Sequence, residues 1–300
     1  MDEVWRKFFD PQVLERLRGM SLRSRRSATG ALTGMHRSTR SGQAIEFSEH
    51  RQYTPGEDLR QLDWKVLGRT DKYYLRQRED ETTMRCHILV DRSGSMGFRG
   101  DRSEHDKLQF AFRVAASLAF VATENRDSAS LTCLGESVLP LVGAGTGGEH
   151  LMAMAAAMSR VECEADADAE IAQQIMAAVQ GLPAGGLVVL ISDLFEDAES
   201  LVKAFRAVRS TGRSMIVVQV MDPSEQQFPF GETVEYRGLE GESPLVLDAR
   251  GVGAAYREEI KKHRLEIEVG CRTSEVLYWF LPSDSPLHLK LPSLLDSLGH

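Results

Sequence analysis

"RCHILVDRSGSM", residues 85–96, decides how the chain folds. Its first seven residues form a short, nearly continuous apolar run, the pattern of a strand covered on both faces rather than one with a wet side. An aspartate closes the run, and two hydroxyls, Ser93 and Ser95, follow at every second position. Downstream, "DKLQFAFRVAASLAFVATE" (106–124) places Leu108, Ala111, Phe112, Ala115, Leu118, Ala119 and Ala122 at helical spacing. That predicts an amphipathic helix, with Ser103 available as a cap. "SASLTCLG" and "SVLPLV" flank Gly135-Glu136 and read as a hairpin in which Pro140 suits an edge strand. Two helices follow, "EHLMAMAAAMSR" and "AEIAQQIMAAVQGL", joined by an acidic linker; Met152, Met154 and Met158 serve packing. "GLVVLISD" (186–193) is the second fully apolar strand, a helix spans 198–210, and "SMIVVQVMD" (214–222) is the third strand. The tail adds "TVEYRG", "PLVLDARG", a charged helix near 252–264 and "EVLYWFL". Strands alternating with helices predict an α/β fold, a doubly wound and mostly parallel sheet covered on both sides.

Composition narrows the function classes. The 300 residues are 42% hydrophobic, enough to bury a substantial core. A net charge of -8 argues against a nucleic-acid partner, which needs a broad basic face. The four cysteines lie far apart, with no CxxC pair and no histidine at zinc-finger spacing, so reduced thiols are expected rather than a disulfide framework or structural zinc. The start, "MDEVWRKFFD", carries acids and no long apolar run, and no stretch of about 18 apolar residues exists for a membrane span. A cytoplasmic protein is the expectation. Residues 16–45 hold seven arginines and no acid, and read as an irregular basic segment resting on the acidic remainder of the chain or on a partner. "AIEFSEHRQY" and "KYYLRQRED" are two β-like runs around "TPGEDLRQLDW", where Pro55-Gly56 fits the centre of a type II turn. The division expected is therefore 1–80, the basic segment with a small β-containing subdomain, and 81–300, the α/β domain.

The chemistry follows from the strand ends. Three apolar strands each end in an aspartate: Asp91, Asp193 and Asp222. In a doubly wound sheet of order 3-2-1-4-5-6, ligands bind beyond the carboxyl ends where the winding reverses, between strands 1 and 4. Asp91 ends strand 1 and Asp193 ends strand 4, so the two should face each other, and two carboxylates that close need a cation or a proton between them. The loop "GAGTGGEH" (143–150) is expected to bring Thr146 to the same place. Asp91, Ser93, Ser95, Thr146 and Asp193 are then an all-oxygen set suited to Mg²⁺ or Mn²⁺ and not to zinc. Neutral hydroxyls leave the ion electrophilic, so a carboxylate from a partner is the natural sixth ligand. Asp222, followed by Pro223, is read as an ordinary turn and left out of the site.

DxSxS after strand 1, a threonine in a crevice loop and an aspartate after strand 4 resemble the metal-ion-dependent adhesion site of von Willebrand factor A domains. The stretch from "GQAIEFSEHRQY" through "VDRSGSM" is similar to that of bacterial von Willebrand A-like proteins of the "domain of unknown function 58" group, associated with MoxR-type AAA+ ATPases. The group's upstream motif falls on Arg51, Tyr53, Pro55, Gly56, Asp58, Arg60, Asp63, Trp64 and Arg69, with Glu57, Leu62 and Gly68 as mild departures. The likeness covers about residues 34–290. It implies a non-enzymatic, Mg²⁺-dependent protein-interaction module whose partners are a MoxR-type AAA+ ATPase and its client. Arg60, Asp63 and Arg69 are read as an ion-pair network within the chain.

Other readings can be tried on the same residues. An EF-hand loop starting at Asp91 would put Met96 where glycine is needed and Arg102 where glutamate is needed, so it fails. A metal-dependent phosphatase would use Asp91 as nucleophile with Asp193 and Asp197 in a D-x-x-x-D motif, but Ser93 stands where that chemistry wants a second acid. A hydrolase reading orders Ser95, Asp193 and His263 as a triad, but Ser95 lies four residues past the strand end.

Overall fold

The computed structural model describes residues 2–22, 47–52, 74–78, 83–164, 170–228, 233–236 and 245–299. The Pro55-Gly56 turn, the Arg60, Asp63 and Arg69 network and most of the arginine-rich segment lie outside these residues. The chain divides into two compact units, Met1–Gly30 with Met84–His300, and Ala31–Thr83. Within the smaller unit, β1 (Phe47–Gln52) and β2 (Tyr74–Arg78) pair antiparallel, as the two β-like runs suggest.

In the larger unit the strands are β3 (Arg85–Asp91), β4 (Ser128–Leu134), β5 (Leu139–Gly145), β6 (Leu187–Ser192), β7 (Ser214–Met221) and β10 (Leu277–Pro282). They form one six-stranded sheet in the order β10-β7-β6-β3-β4-β5. Every pairing is parallel except β4 with β5. This is the 3-2-1-4-5-6 order, with its reversal between β3 and β6. A separate hairpin of β8 (Thr233–Tyr236) and β9 (Leu245–Asp248) leads into α8 (Ala249–Thr273).

Two cores explain why the central strands are apolar at consecutive positions. Cys86, Ile88 and Val90 of β3 face a core shared with α3 (Lys107–Glu124), α4 (Gly147–Met158) and α9 (Leu287–Asp296). Leu89 faces the other, with α5 (Ile171–Gln180), α6 (Ala198–Ser210) and α8. Alternate side chains enter opposite cores, so most positions of these strands are apolar, and the polar exceptions His87 and Gln219 are buried too. A fully buried aliphatic side chain such as Ile191 contributes about 1.5–3 kcal/mol. Met154 and Met158 are buried in the first core, while Met152 is half-buried. Helix α8 runs past the expected 252–264 because Ile267 and Cys271, both fully buried, continue its apolar face.

The N-terminus departs from the division drawn at residue 80. Helices α1 (Asp2–Phe8) and α2 (Pro11–Leu17) belong to the larger unit. Phe8, Phe9, Val13 and Leu17 lie in the core of α3 and β3, and the rings of Phe8 and Phe112 meet edge-on at 6.0 Å. Apolar residues spaced along two short turns drive this. Asp10 caps α2 through the Gln12 amide at 2.9 Å and also pairs with Arg113 at 3.2 Å. The cap expected at Ser103 is a second difference: Asp106 caps α3, accepting from the Gln109 amide at 2.7 Å.

Candidate functional site

Register builds the site. Val90 stands opposite Ile191, so Asp91 and Ser192 emerge side by side at the carboxyl edge and Asp193 comes one residue later. Asp91 is 1% exposed. Its Oδ2 accepts from the Ser192 hydroxyl at 2.6 Å and its Oδ1 from the Ser93 amide at 2.8 Å. Residues 94–97 form a 3-10 turn that brings Ser95 Oγ to 3.1 Å from Ser93 Oγ. The Ser93 strand end is flanked by residue 164: Ser93 and Glu164 form a parallel bridge, the Glu164 amide donates to Arg92 O at 2.9 Å, and the two side chains form an ion pair.

Asp193 is equally buried and faces Asp91 across the switch point. Burial, and then repulsion from Asp193, push the Asp91 carboxyl up to about 7, against the hydrogen bonds from Ser192 and Ser93. Asp193 is held from three sides. Its Oδ2 pairs with Lys107 Nζ at 2.8 Å, its Oδ1 lies 3.3 Å from the Phe195 amide, and its carbonyl accepts from Gln219 Nε2 at 2.8 Å. Lys107 is fully buried and also reaches Glu225 Oε1 at 2.5 Å. Burial alone would lower its pKa, but Asp193 and Glu225 outweigh it and raise it. Burial raises the Glu225 carboxyl, and Lys107 opposes that. Leu194, next in the chain, has a φ of 60° although it is a buried leucine; its amide donates to the Ser192 hydroxyl oxygen at 2.9 Å and its carbonyl meets His263 Nε2 at 2.8 Å.

Four of the five expected site residues therefore meet, and Thr146 does not. Gly145 stands opposite Ala129 at the start of β4, whereas Asp91 stands opposite Leu134 at its end. Five strand residues, about 16 Å, separate those positions. Thr146 precedes α4 at the amino edge of the sheet because β5 runs antiparallel to β4. The competing readings are not assembled either. Asp197 is exposed and caps α6 through the Ser200 amide at 2.9 Å, and His263 is engaged by Leu194.

Asp222 is more than a turn residue. It caps α7 (Pro223–Gln227) with Glu225 in a reciprocal box. It also accepts from the Gly100 amide (3.1 Å) and from the Ser103 and Ser283 hydroxyls (2.5 and 3.0 Å). The D-P-S-E spacing at 222–225 carried the capping signal, which also placed Glu225. Ser192, in "ISD", was legible as a neighbour of Asp193; nothing local marked Lys107 or Gln219.

Among the described residues, no group of three or more His, Cys, Asp or Glu is placed to hold a metal ion. The switch-point set is of another kind, two acids with two hydroxyls, and it suits a hard divalent ion in two respects. Two oxygens at right angles on an octahedral ion, each about 2.1 Å away, stand about 3.0 Å apart, close to the Ser93–Ser95 separation. The raised Asp91 marks a place short of positive charge. Among the described residues no helix is long and apolar enough to cross a membrane.

The uncharacterized protein Rv1480 of Mycobacterium tuberculosis is 26% identical over 221 residues, 73% of this chain and 68% of the relative. Among solved structures, the conserved hypothetical protein BatB from Bacteroides thetaiotaomicron superposes with a TM-score of 0.48 at 14% identity, covering 72% of this chain and 98% of that one. The SpRpn10 VWA domain gives 0.45 at 13% identity, covering 73% and 97%. The family described as protein of unknown function DUF58 matches residues 49–266, most of the chain, and the protein belongs to that family.

Proposed function

We propose that the chain is a non-enzymatic, metal-dependent protein-interaction module of the cytoplasm. Asp91, Ser93 and Ser95 supply oxygen ligands for Mg²⁺ or Mn²⁺, and Asp193, paired with Lys107, is the second acid lining the site; Thr146 is not among them. The ion, when bound, gives the site affinity for a carboxylate of a protein partner. The partner is a MoxR-type AAA+ ATPase or its client, as the sequence resemblance implies.

The observation that carries this reading is the pair of buried aspartates at the switch point, one pushed up to about 7 by burial and by the other, beside two hydroxyls 3.1 Å apart. Buried acids that serve only the fold are neutralised by donors; here acceptor capacity and negative charge are left over. Calorimetric titration of EDTA-treated protein with Mn²⁺ tests it. One site is expected in the native protein and none in Asp91→Ala. Equal heats for both would refute the metal, and pull-downs that recover the same partners with and without EDTA would refute its role in binding.

A further inference from the structure

The buried ammonium of Lys107 is not used by the proposed function. It opens α3, reaches back to the switch point, and is fully enclosed between Asp193 Oδ2 at 2.8 Å and Glu225 Oε1 at 2.5 Å, with the Phe195 ring centroid 4.8 Å away. Asp193 and Glu225 thus share one fixed cation, and the two buried aspartates are compensated unequally. Among the described residues Asp91 has neutral donors alone, the Ser93 amide and hydroxyl and the Ser192 hydroxyl. Asp193 has a full counter-charge.

We propose that Lys107 is a positioning residue that holds Asp193 off the metal, leaving Asp91 as the one carboxylate bound directly to the ion. This rests on the metal reading above. A divalent ion with one carboxylate and two hydroxyls keeps a net positive charge and attracts one further carboxylate from outside. With a second carboxylate bound it would be neutral, would sit more tightly, and would attract the outside ligand less. Lys107 therefore trades metal affinity for affinity toward the partner's acid.

Three variants and the metal alone test this. Asp193→Asn keeps shape and should change Mn²⁺ affinity, read by electron paramagnetic resonance, by less than about threefold, while Asp91→Asn should weaken it more than about a hundredfold. In Lys107→Met/Glu225→Gln the neutral amide still accepts from the Asp222 amide that Glu225 holds at 2.8 Å. That double variant should bind Mn²⁺ about tenfold more tightly, and acetate, as the carboxylate probe, should displace water from its Mn²⁺ less readily than in the native protein. A merely structural lysine would not yield tighter metal binding when removed. Equal losses at the two aspartates, or a folded double variant with unchanged or weaker Mn²⁺ affinity, would overturn the role of Lys107 while leaving the metal site standing. Absence of Mn²⁺ binding in native protein and variants alike would overturn both.

Discussion

The carboxyl ends of β7 and β10 and those of β3 and β6 carry the same ingredients, buried aspartates among serine hydroxyls, and treat them in opposite ways. At the first place Asp222 collects two amides and two hydroxyls, from Gly100, Ser224, Ser103 and Ser283. Burial would raise its carboxyl, but those donors win and hold it below the usual carboxylate range. At the second, Asp91 has donors from Ser93 and Ser192 and a neighbouring acid, and its carboxyl is pushed up to about 7. The first is a finished knot that ties the loop after the 3-10 turn to two strand ends. The second, among the described residues, keeps two buried acids side by side, the feature on which the proposed ligand site rests.

The largest effect that would break this comparison is on stability. Asp222→Ala should lower the unfolding free energy by about 3 kcal/mol, because a cap is lost and buried donors are orphaned. Denaturant unfolding should read that loss equally with Mg²⁺ and with EDTA. The pH response has a definite sign: a depressed carboxyl stabilises above its unfolded pKa, about 3.9, and loses this as pH falls through the folded value. The gap between native and Asp222→Asn should accordingly narrow below about pH 4. Next comes Asp91→Asn in EDTA, where relief of the repulsion from Asp193 offsets a weakened hydrogen bond. It should lie within about 1 kcal/mol of native, yet lose the rise in unfolding midpoint that Mg²⁺ gives the native protein. A loss as large as that of Asp222→Ala would make the two places equivalent. The smallest effect is expected for Asp197→Ala, a slight fall in midpoint from the lost cap on α6 with Mn²⁺ affinity unchanged. Loss of Mn²⁺ binding there would revive the phosphatase arrangement of Asp91, Asp193 and Asp197.

Much of the fold was legible because its signals are local. Runs of buried residues in β3, β6 and β7 write consecutive apolar letters, and the helix over 198–210 coincides with α6. Thr146 shows where local reading misled. Its placement beside Asp91 conflicted with the hairpin read at Gly135-Glu136, since a hairpin returns the chain to the edge it came from. Residues 1–22 were assigned away from the sheet because their few apolar positions are too short a pattern to reveal a tertiary partner.

The order of letters by itself determined the sheet, its switch point and the acids and hydroxyls gathered there, because alternating strands and helices allow few topologies and DxSxS lies within one turn of a strand end. Only the tertiary structure decided the charge balance there. Lys107 lies 86 positions from Asp193, and no local spacing rule reaches that far. Which acid receives the buried ammonium and which is left to a ligand depends on how the first turn of α3 packs against β6 and α7, through forces that act across space and not along the chain.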